Sequence, residues 1–265
     1  MKNLPLFENM YRTEKRKLSL IAATFPSLYF YVRLIATVMR SASLAKKGRY
    51  GNDEWGSSSL RVLEILERVG VDVCVTGMDH IRKDHNPCVI IGNHMSFLET
   101  LLLPGLILPK PLTFVIKQSL LEYPVFKHVM RSSRPIAVSR VNPRQDLKTV
   151  LEEGTKRLEE GLSVVVFPQS TRSHDFEPAQ MGSIGVKLAK RAGVPVLPMA
   201  LKTDALQNGS IVKDFGALRT ELPVRIAFAE PIAVIGKGSE EMDSVNNFIE
   251  LKLQEWRREL TVVKG

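Results

Sequence analysis

Residues 142–167, NPRQDLKTVLEEGTKRLEEGLSVVVF, decide the fold. Asn142 is a helix N-cap, Pro143 takes the first helical position, Gln145 completes a capping box, and Gly161 stops the helix. Six uncharged residues follow, LSVVVF at 162–167. They are too few for a stable helix and rich in β-branched side chains, as in a strand buried on both faces. A capped helix that feeds such a strand is the repeating unit of a largely parallel sheet with helices on its faces.

The same alternation extends both ways from there. Upstream, VDVCVTG (71–77) and PCVIIGN (87–93) are predicted strands joined by a turn over 77–87. A helical stretch at 96–103, a strand LTFVI (112–116), a helix over 119–131 despite Pro124 and a short strand PIAV (135–138) come next. Downstream, a loop runs to Gly182, a helix to Ala192 with Gly193 as its stop, and VPVLPMAL (194–201) and VRIAFA (224–229) are strands. A charged helix at 239–258 closes the chain, and SSSLRVLEILERVG (57–70) is an amphipathic helix after a linker spanning Gly48 to Gly56. The expected architecture is α/β, with a central, mostly parallel or mixed β-sheet covered by helices. Residues 51–265 would form this domain.

At 265 residues and 44% hydrophobic content, the chain can bury one full core. A formal charge of +9 suits a polyanionic partner, be it nucleic acid, an anionic membrane surface or a phosphorylated substrate. The basic residues are spread along the chain and form no RNA- or DNA-binding signature, so charge alone does not choose among these. Cys74 and Cys88 lie in apolar strand-like runs and are expected to be buried hydrophobes; no His/Cys spacing fits a metal site.

The N-terminus narrows the field. Residues 18–32, LSLIAATFPSLYFYV, carry no charge, and the apolar character resumes after Arg33 as far as Met39. Pro26 and Arg33 interrupt it, and basic residues flank both ends: Lys15, Arg16 and Lys17 before, Arg40, Lys46 and Lys47 after. A helix pair lying in a membrane interface, with Tyr29, Phe30 and Tyr31 at headgroup level, fits better than a span. Residues 1–50 would form this membrane-associating segment. Two other readings compete: a buried core helix pair, and a signal peptide cleaved near SAS (41–43), against which Glu8 and Glu14 argue.

Two stretches carry chemistry. In GNHMSFLETLLLPG (92–105), Ser96 and Glu99 have capping-box spacing, and His94 precedes Glu99 by five residues. On one helix the two would point about 140° apart. His94 must therefore sit on the turn before the helix, with Glu99 reaching back to one ring nitrogen and leaving the other as a base. By chance alone about half such a pair is expected in a chain of this composition, so the spacing by itself carries little. In FPQSTRSHDF (167–176) a buried strand ends in a polar turn that presents Arg172 beside hydroxyls, a phosphate-binding arrangement that an ordinary solvated loop would also display.

The order of these segments resembles the glycerolipid acyltransferases typified by bacterial lysophosphatidate acyltransferase. NHMSFLE (93–99), RPIAVSR (134–140), FPQSTRS (167–173) and VPVLPMAL (194–201) are similar to its four blocks, and Lys117 resembles the lysine of its Lys-x-x-Leu segment. The resemblance implies transfer of an acyl group from acyl-CoA or acyl-carrier protein to the free hydroxyl of a lysolipid, lysophosphatidate being the best single acceptor. It implies no metal, no cofactor and no nucleic-acid partner, and a peripheral or monotopic protein on the cytoplasmic face of a membrane. His94 would be the general base and Glu99 its orienting acid; amides at the start of the Ser96 helix would help hold the oxyanion. Arg140 and Arg172, with Lys117, would bind phosphate, and Gln169, Ser170 and Thr171 would complete the acceptor loop. A covalent Ser96 nucleophile is the lesser alternative.

The chain departs from that pattern at five positions. Glu99 stands for Asp, Arg134 for Gly, Ser139 for an acid, Gln169 for Glu and Ser170 for Gly. With one carboxylate fewer beside Arg172, the pocket must be more positive or be compensated elsewhere. The acceptor is left open to a lyso-aminolipid or another lysophospholipid, and a non-catalytic lipid-binding relative is a further alternative.

Overall fold

The computed structural model describes residues 9–264, apart from Lys15, Asp84, Val125, Ser170, Ile211 and Val212, with side chains to residue 261. In chain order the first elements are β1 (Tyr11–Arg12), α1 (Leu20–Thr24), α2 (Pro26–Lys46), α3 (Asn52–Arg68), β2 (Val73–Thr76) and α4 (Asp79–Arg82). Then come β3 (Val89–Gly92), α5 (Leu98–Leu106), β4 (Leu112–Lys117), α6 (Phe126–Ser132), β5 (Ile136–Val138) and α7 (Pro143–Glu159). The chain finishes with β6 (Ser163–Val166), α8 (Ile184–Ala192), β7 (Val196–Lys202), β8 (Val224–Phe228) and α9 (Ser239–Lys264).

The strands form one mixed sheet in the order β1-β2-β8-β7-β3-β6-β4-β5. From β7 through β3, β6 and β4 to β5 every pairing is parallel, while β7–β8 and β1–β2 are antiparallel. The central strands are buried on both faces, as their unbroken apolar runs require. Ile90 and Val165 face a core closed by α2, α3 and α5, where Phe30, Leu66, Leu102 and Phe114 pack. Val89, Ile91, Val164 and Val166 face a second core under α7, α8 and α9, with Val150, Leu188 and Ile249.

Because these five strands run in one direction, their carboxyl ends open on one edge of the sheet. In open α/β sheets that edge is where ligands bind. His94 after β3, Lys117 at the end of β4, Arg140 after β5, Gln169 after β6 and Thr203 after β7 therefore meet there, though the chain separates them by up to 109 positions.

The α/β expectation holds, and four local expectations change. The linker at 48–56 is mostly helix: α3 begins at Asn52 because the Glu54 carboxylate accepts from the Gly51 amide at 2.9 Å, and Gly56 is seated against Leu108 where a Cβ would collide. The stretch at 119–131 divides at Pro124 into a 3₁₀ turn (Gln118–Glu122) and α6. The closing helix runs on to Lys264, and Tyr11–Arg12 forms an edge strand that two residues of sequence cannot signal. Among the described residues no helix is long and apolar enough to cross a membrane.

Candidate active site

His94 leaves β3 on a turn, and Glu99 stands in the first turn of α5. The Glu99 carboxylate is fully buried and spends both oxygens: Oε2 meets His94 Nδ1 in a short hydrogen bond, and Oε1 accepts from the Met95 amide (2.7 Å), the Ser96 amide (2.8 Å) and the Thr203 hydroxyl (2.5 Å). One carboxylate thus holds the ring and the turn together. An acceptor at Nδ1 fixes the ring with its proton there, which leaves Nε2 as the basic nitrogen.

The turn is fixed from other sides as well. Gln169 is buried, and its side-chain carbonyl accepts from the His94 amide at 2.7 Å; the Ser173 amide donates to the His94 carbonyl at 3.0 Å. Phe167 stacks on the imidazole with centroids 4.4 Å apart. Asn93 bonds both backbone groups of Leu201 at 2.8 Å, joining β3 to β7 where a Cβ on Gly92 would strike Met199. Ser96 is fully buried; its hydroxyl donates to Thr203 Oγ1 at 3.0 Å and accepts from the Leu98 amide at 3.1 Å.

Two expectations narrow at this turn. The amides of Met95, Ser96 and Leu98 already have acceptors in Glu99 and Ser96, so these three do not serve the oxyanion contact expected of the amides that open the helix. Ser96, bonded on both sides and without solvent access, is not placed as a nucleophile.

Around His94 the polar turn gives way to an apolar pocket. Phe97, Leu101, Phe114 and Phe167 line it, together with Leu34 and Val38 of α2 and Trp55 and Val62 of α3. Lys117, Arg140, Arg172 and Asp214 also line it, so the pocket combines an apolar body with a charged rim.

Each arginine of the rim has an acid that sequence reading missed. Arg172 donates to Asp214 at 2.6 Å and lies over the Phe97 ring at 5.7 Å. Arg140 has a left-handed backbone, with φ +60°. Asp146 holds it there, accepting from the Arg140 amide (2.7 Å) and from the Ser139 amide (2.8 Å) and hydroxyl (3.0 Å). Burial works to raise the Asp146 carboxyl, but these bonds outweigh it and hold it below the usual carboxylate range. The Arg140 guanidinium is pushed below its ordinary range, chiefly by burial and then by the positive charge of Arg172.

The structure thus brings His94, Glu99, Lys117, Arg140, Gln169 and Arg172 to one pocket or its wall. Thr171 is exposed on the loop beside it, and Ser170 lies outside the described residues. Arg134 has φ +52°, which explains why glycine suits that position, and it is held by an ion pair with Glu160. Among the described residues no group of three or more His, Cys, Asp or Glu could hold a metal ion.

Known proteins are similar to this chain in sequence and in fold. Residues 72–202 match a family model described as Acyltransferase. A 1-acyl-sn-glycerol-3-phosphate acyltransferase of Pseudomonas aeruginosa is 36% identical over 131 residues, 49% of this chain and 49% of that protein. The chain thus spans about half the length of this relative. A probable 1-acyl-sn-glycerol-3-phosphate acyltransferase of Mycoplasma pneumoniae is 26% identical over 193 residues, covering 67% of this chain and 68% of that one. The crystal structure of the LPA acyltransferase PlsC from Thermotoga maritima shares the fold, with a TM-score of 0.67 at 24% identity over 89% of this chain and 97% of its own.

Proposed function

We propose that this chain, whose residues 72–202 match the Acyltransferase model, moves a fatty-acyl group from a thioester donor to the free hydroxyl of 1-acyl-glycerol-3-phosphate. The observation that carries this reading is the His94–Glu99 pair at the charged end of an apolar pocket.

His94 Nε2 takes the proton of the acceptor hydroxyl as that oxygen attacks the thioester carbonyl. Glu99 keeps the ring in the required tautomer and stabilises the imidazolium. A C–O bond forms, the C–S bond breaks, and the proton passes from His94 to the departing thiolate. Arg140, Arg172 and Lys117 hold the acceptor phosphate, and Phe97, Trp55, Phe114 and Val62 surround an acyl chain. Gln169 acts on the base through its backbone, while Thr171 borders the acceptor. The donor is acyl-CoA or acyl-carrier protein, both anionic and both suited to a chain of charge +9.

The residues up to 50 dock the protein on an anionic membrane surface, at the cytoplasmic face where acyl thioesters are available. Leu28, Val32, Ile35 and Met39 recur at helical spacing on α2 and are exposed, while Phe30, Leu34 and Val38 on its opposite face are buried. One helix thus offers an apolar face outward and walls the pocket with the other. Arg33, Arg40, Lys46 and Lys47 supply its positive charge.

The test offers purified protein in detergent labelled acyl-CoA or acyl-carrier protein with a panel of lysolipids. Acylation of 1-acyl-glycerol-3-phosphate at the highest rate is the expected result. An absence of product from every acceptor, with both donors, overturns the proposal.

A further inference from the structure

Arg172, the cation placed to receive the acceptor phosphate, is already paired with Asp214 at 2.6 Å, and both side chains are largely buried. The segment that carries Asp214 is tied at both sides of it. The Gln207 amide donates to the Ala217 carbonyl at 3.0 Å and the Arg219 amide to the Ala205 carbonyl at 2.7 Å, just beyond β7. Tyr31 on α2 donates to the Gly216 carbonyl at 2.5 Å, and the Leu218 amide donates to Ser27 at 3.0 Å. Asp214 is therefore a fixed part of the pocket rim.

Asp214 holds Arg172 through Nη1, so a phosphate that binds this guanidinium either exchanges with the carboxylate or shares the cation with it at close range. A phosphomonoester carries about −1.5 to −2 at neutral pH and offers three terminal oxygens. It exceeds a carboxylate in charge and in hydrogen-bonding capacity, so exchange favours it, the more so with Arg140 close enough to Arg172 for their charges to interact. A phosphodiester carries a single charge and two terminal oxygens. It gains little by displacing Asp214 and meets like charge if it does not.

We propose that Asp214 is a specificity-determining residue that admits lysolipids with a phosphomonoester headgroup and rejects those with a phosphodiester. This rests on the acyl-transfer function proposed above and names what selects its acceptor. The neutral Gln169, with its side chain given to the His94 amide, leaves Asp214 as the acid beside Arg172.

The experiment measures kcat/KM of wild type and Asp214→Asn for two acceptors with the same acyl chain: 1-acyl-glycerol-3-phosphate and lysophosphatidylglycerol. Wild type is expected to prefer the monoester, and Asp214→Asn to lower that preference on the order of tenfold, mainly by reducing KM for the diester. A second measurement needs no variant. Taking wild type from pH 7.5 to about 5.5 protonates the phosphomonoester, whose second pKa is about 6, so its KM should rise several-fold while that of the diester stays level. A preference unchanged by Asp214→Asn, or a monoester KM indifferent to pH, overturns the role of Asp214 while leaving acyl transfer intact. A wild-type protein that acylates neither lipid removes the function itself, and this selectivity with it.

Discussion

In the pocket wall His94, on the turn after β3, and Glu99, in the first turn of α5, lie five residues apart, and both Glu99 oxygens are bonded inside the protein. Beside it, at the pocket rim, Arg140 and Arg172 come from separate loops; Asp146 of α7 accepts from the Arg140 backbone amide, and Asp214, from the segment after residue 207, accepts from the Arg172 guanidinium. The first half is preorganised before any ligand enters: each polar bond is internal and has no ligand to wait for. The second is balanced at Arg172 against an internal carboxylate, Asp214, so a ligand there meets a partner already in place. The contrast separates chemistry, which should appear in kcat, from recognition, which should appear in the acceptor KM.

Glu99→Ala should have the largest effect. It removes the partner of the His94 ring and leaves the Met95 and Ser96 amides and the Thr203 hydroxyl without their acceptor. We expect kcat to fall about 10³-fold and stability to fall by about 2–4 kcal/mol, read by steady-state kinetics and chemical denaturation. A variant as stable and as fast as wild type would show that the turn does not depend on this carboxylate.

Arg172→Ala should raise the acceptor KM by roughly 10- to 100-fold, on the scale of a charge-assisted phosphate contact, with kcat changed less. An equal loss in kcat would break the division between the two halves. Thr203→Val should lower kcat about tenfold with KM unaltered, since the Thr203 hydroxyl touches the buried Glu99 and Ser96 rather than the pocket, and Thr203→Ser should restore it. Failure of the serine variant to recover would mean that Thr203 matters for packing alone. The smallest effect is expected outside the pocket. Leu28→Glu with Ile35→Glu should reduce sedimentation with anionic vesicles several-fold, while activity on detergent-dispersed acceptor stays within about twofold. Unchanged vesicle binding would refute the outward face of α2 as the docking surface.

The same contrast explains what the amino-acid sequence made legible. The capped helix at 143–159 and the uncharged run after it give α7 and β6, because caps and periodicity are local. His94 and Glu99 were readable for the same reason: the angle between them on a helix already required a turn. Asp146 and Asp214 were not. Ser139 and Gln169 stand where acids are usual in the blocks they resemble, and only the folded chain brings acids to the Arg140 amide and the Arg172 guanidinium from 6 and 42 positions away. Thr203 was missed because its signal is a strand end 104 residues from its partner Glu99. The start of α3 was missed because a segment rich in Gly, Asn and Asp serves equally as a linker or as a polar first turn, and the Glu54 carboxylate decides it.

The most direct test is the rate of acyl transfer to 1-acyl-glycerol-3-phosphate by His94→Ala beside wild type, with thermal melting confirming that both are folded. With His94 as general base, kcat should fall by about 10²–10⁴-fold while the acceptor KM, set by Arg140 and Arg172, stays within about twofold. A folded His94→Ala protein that turns over within a few-fold of wild type would contradict it.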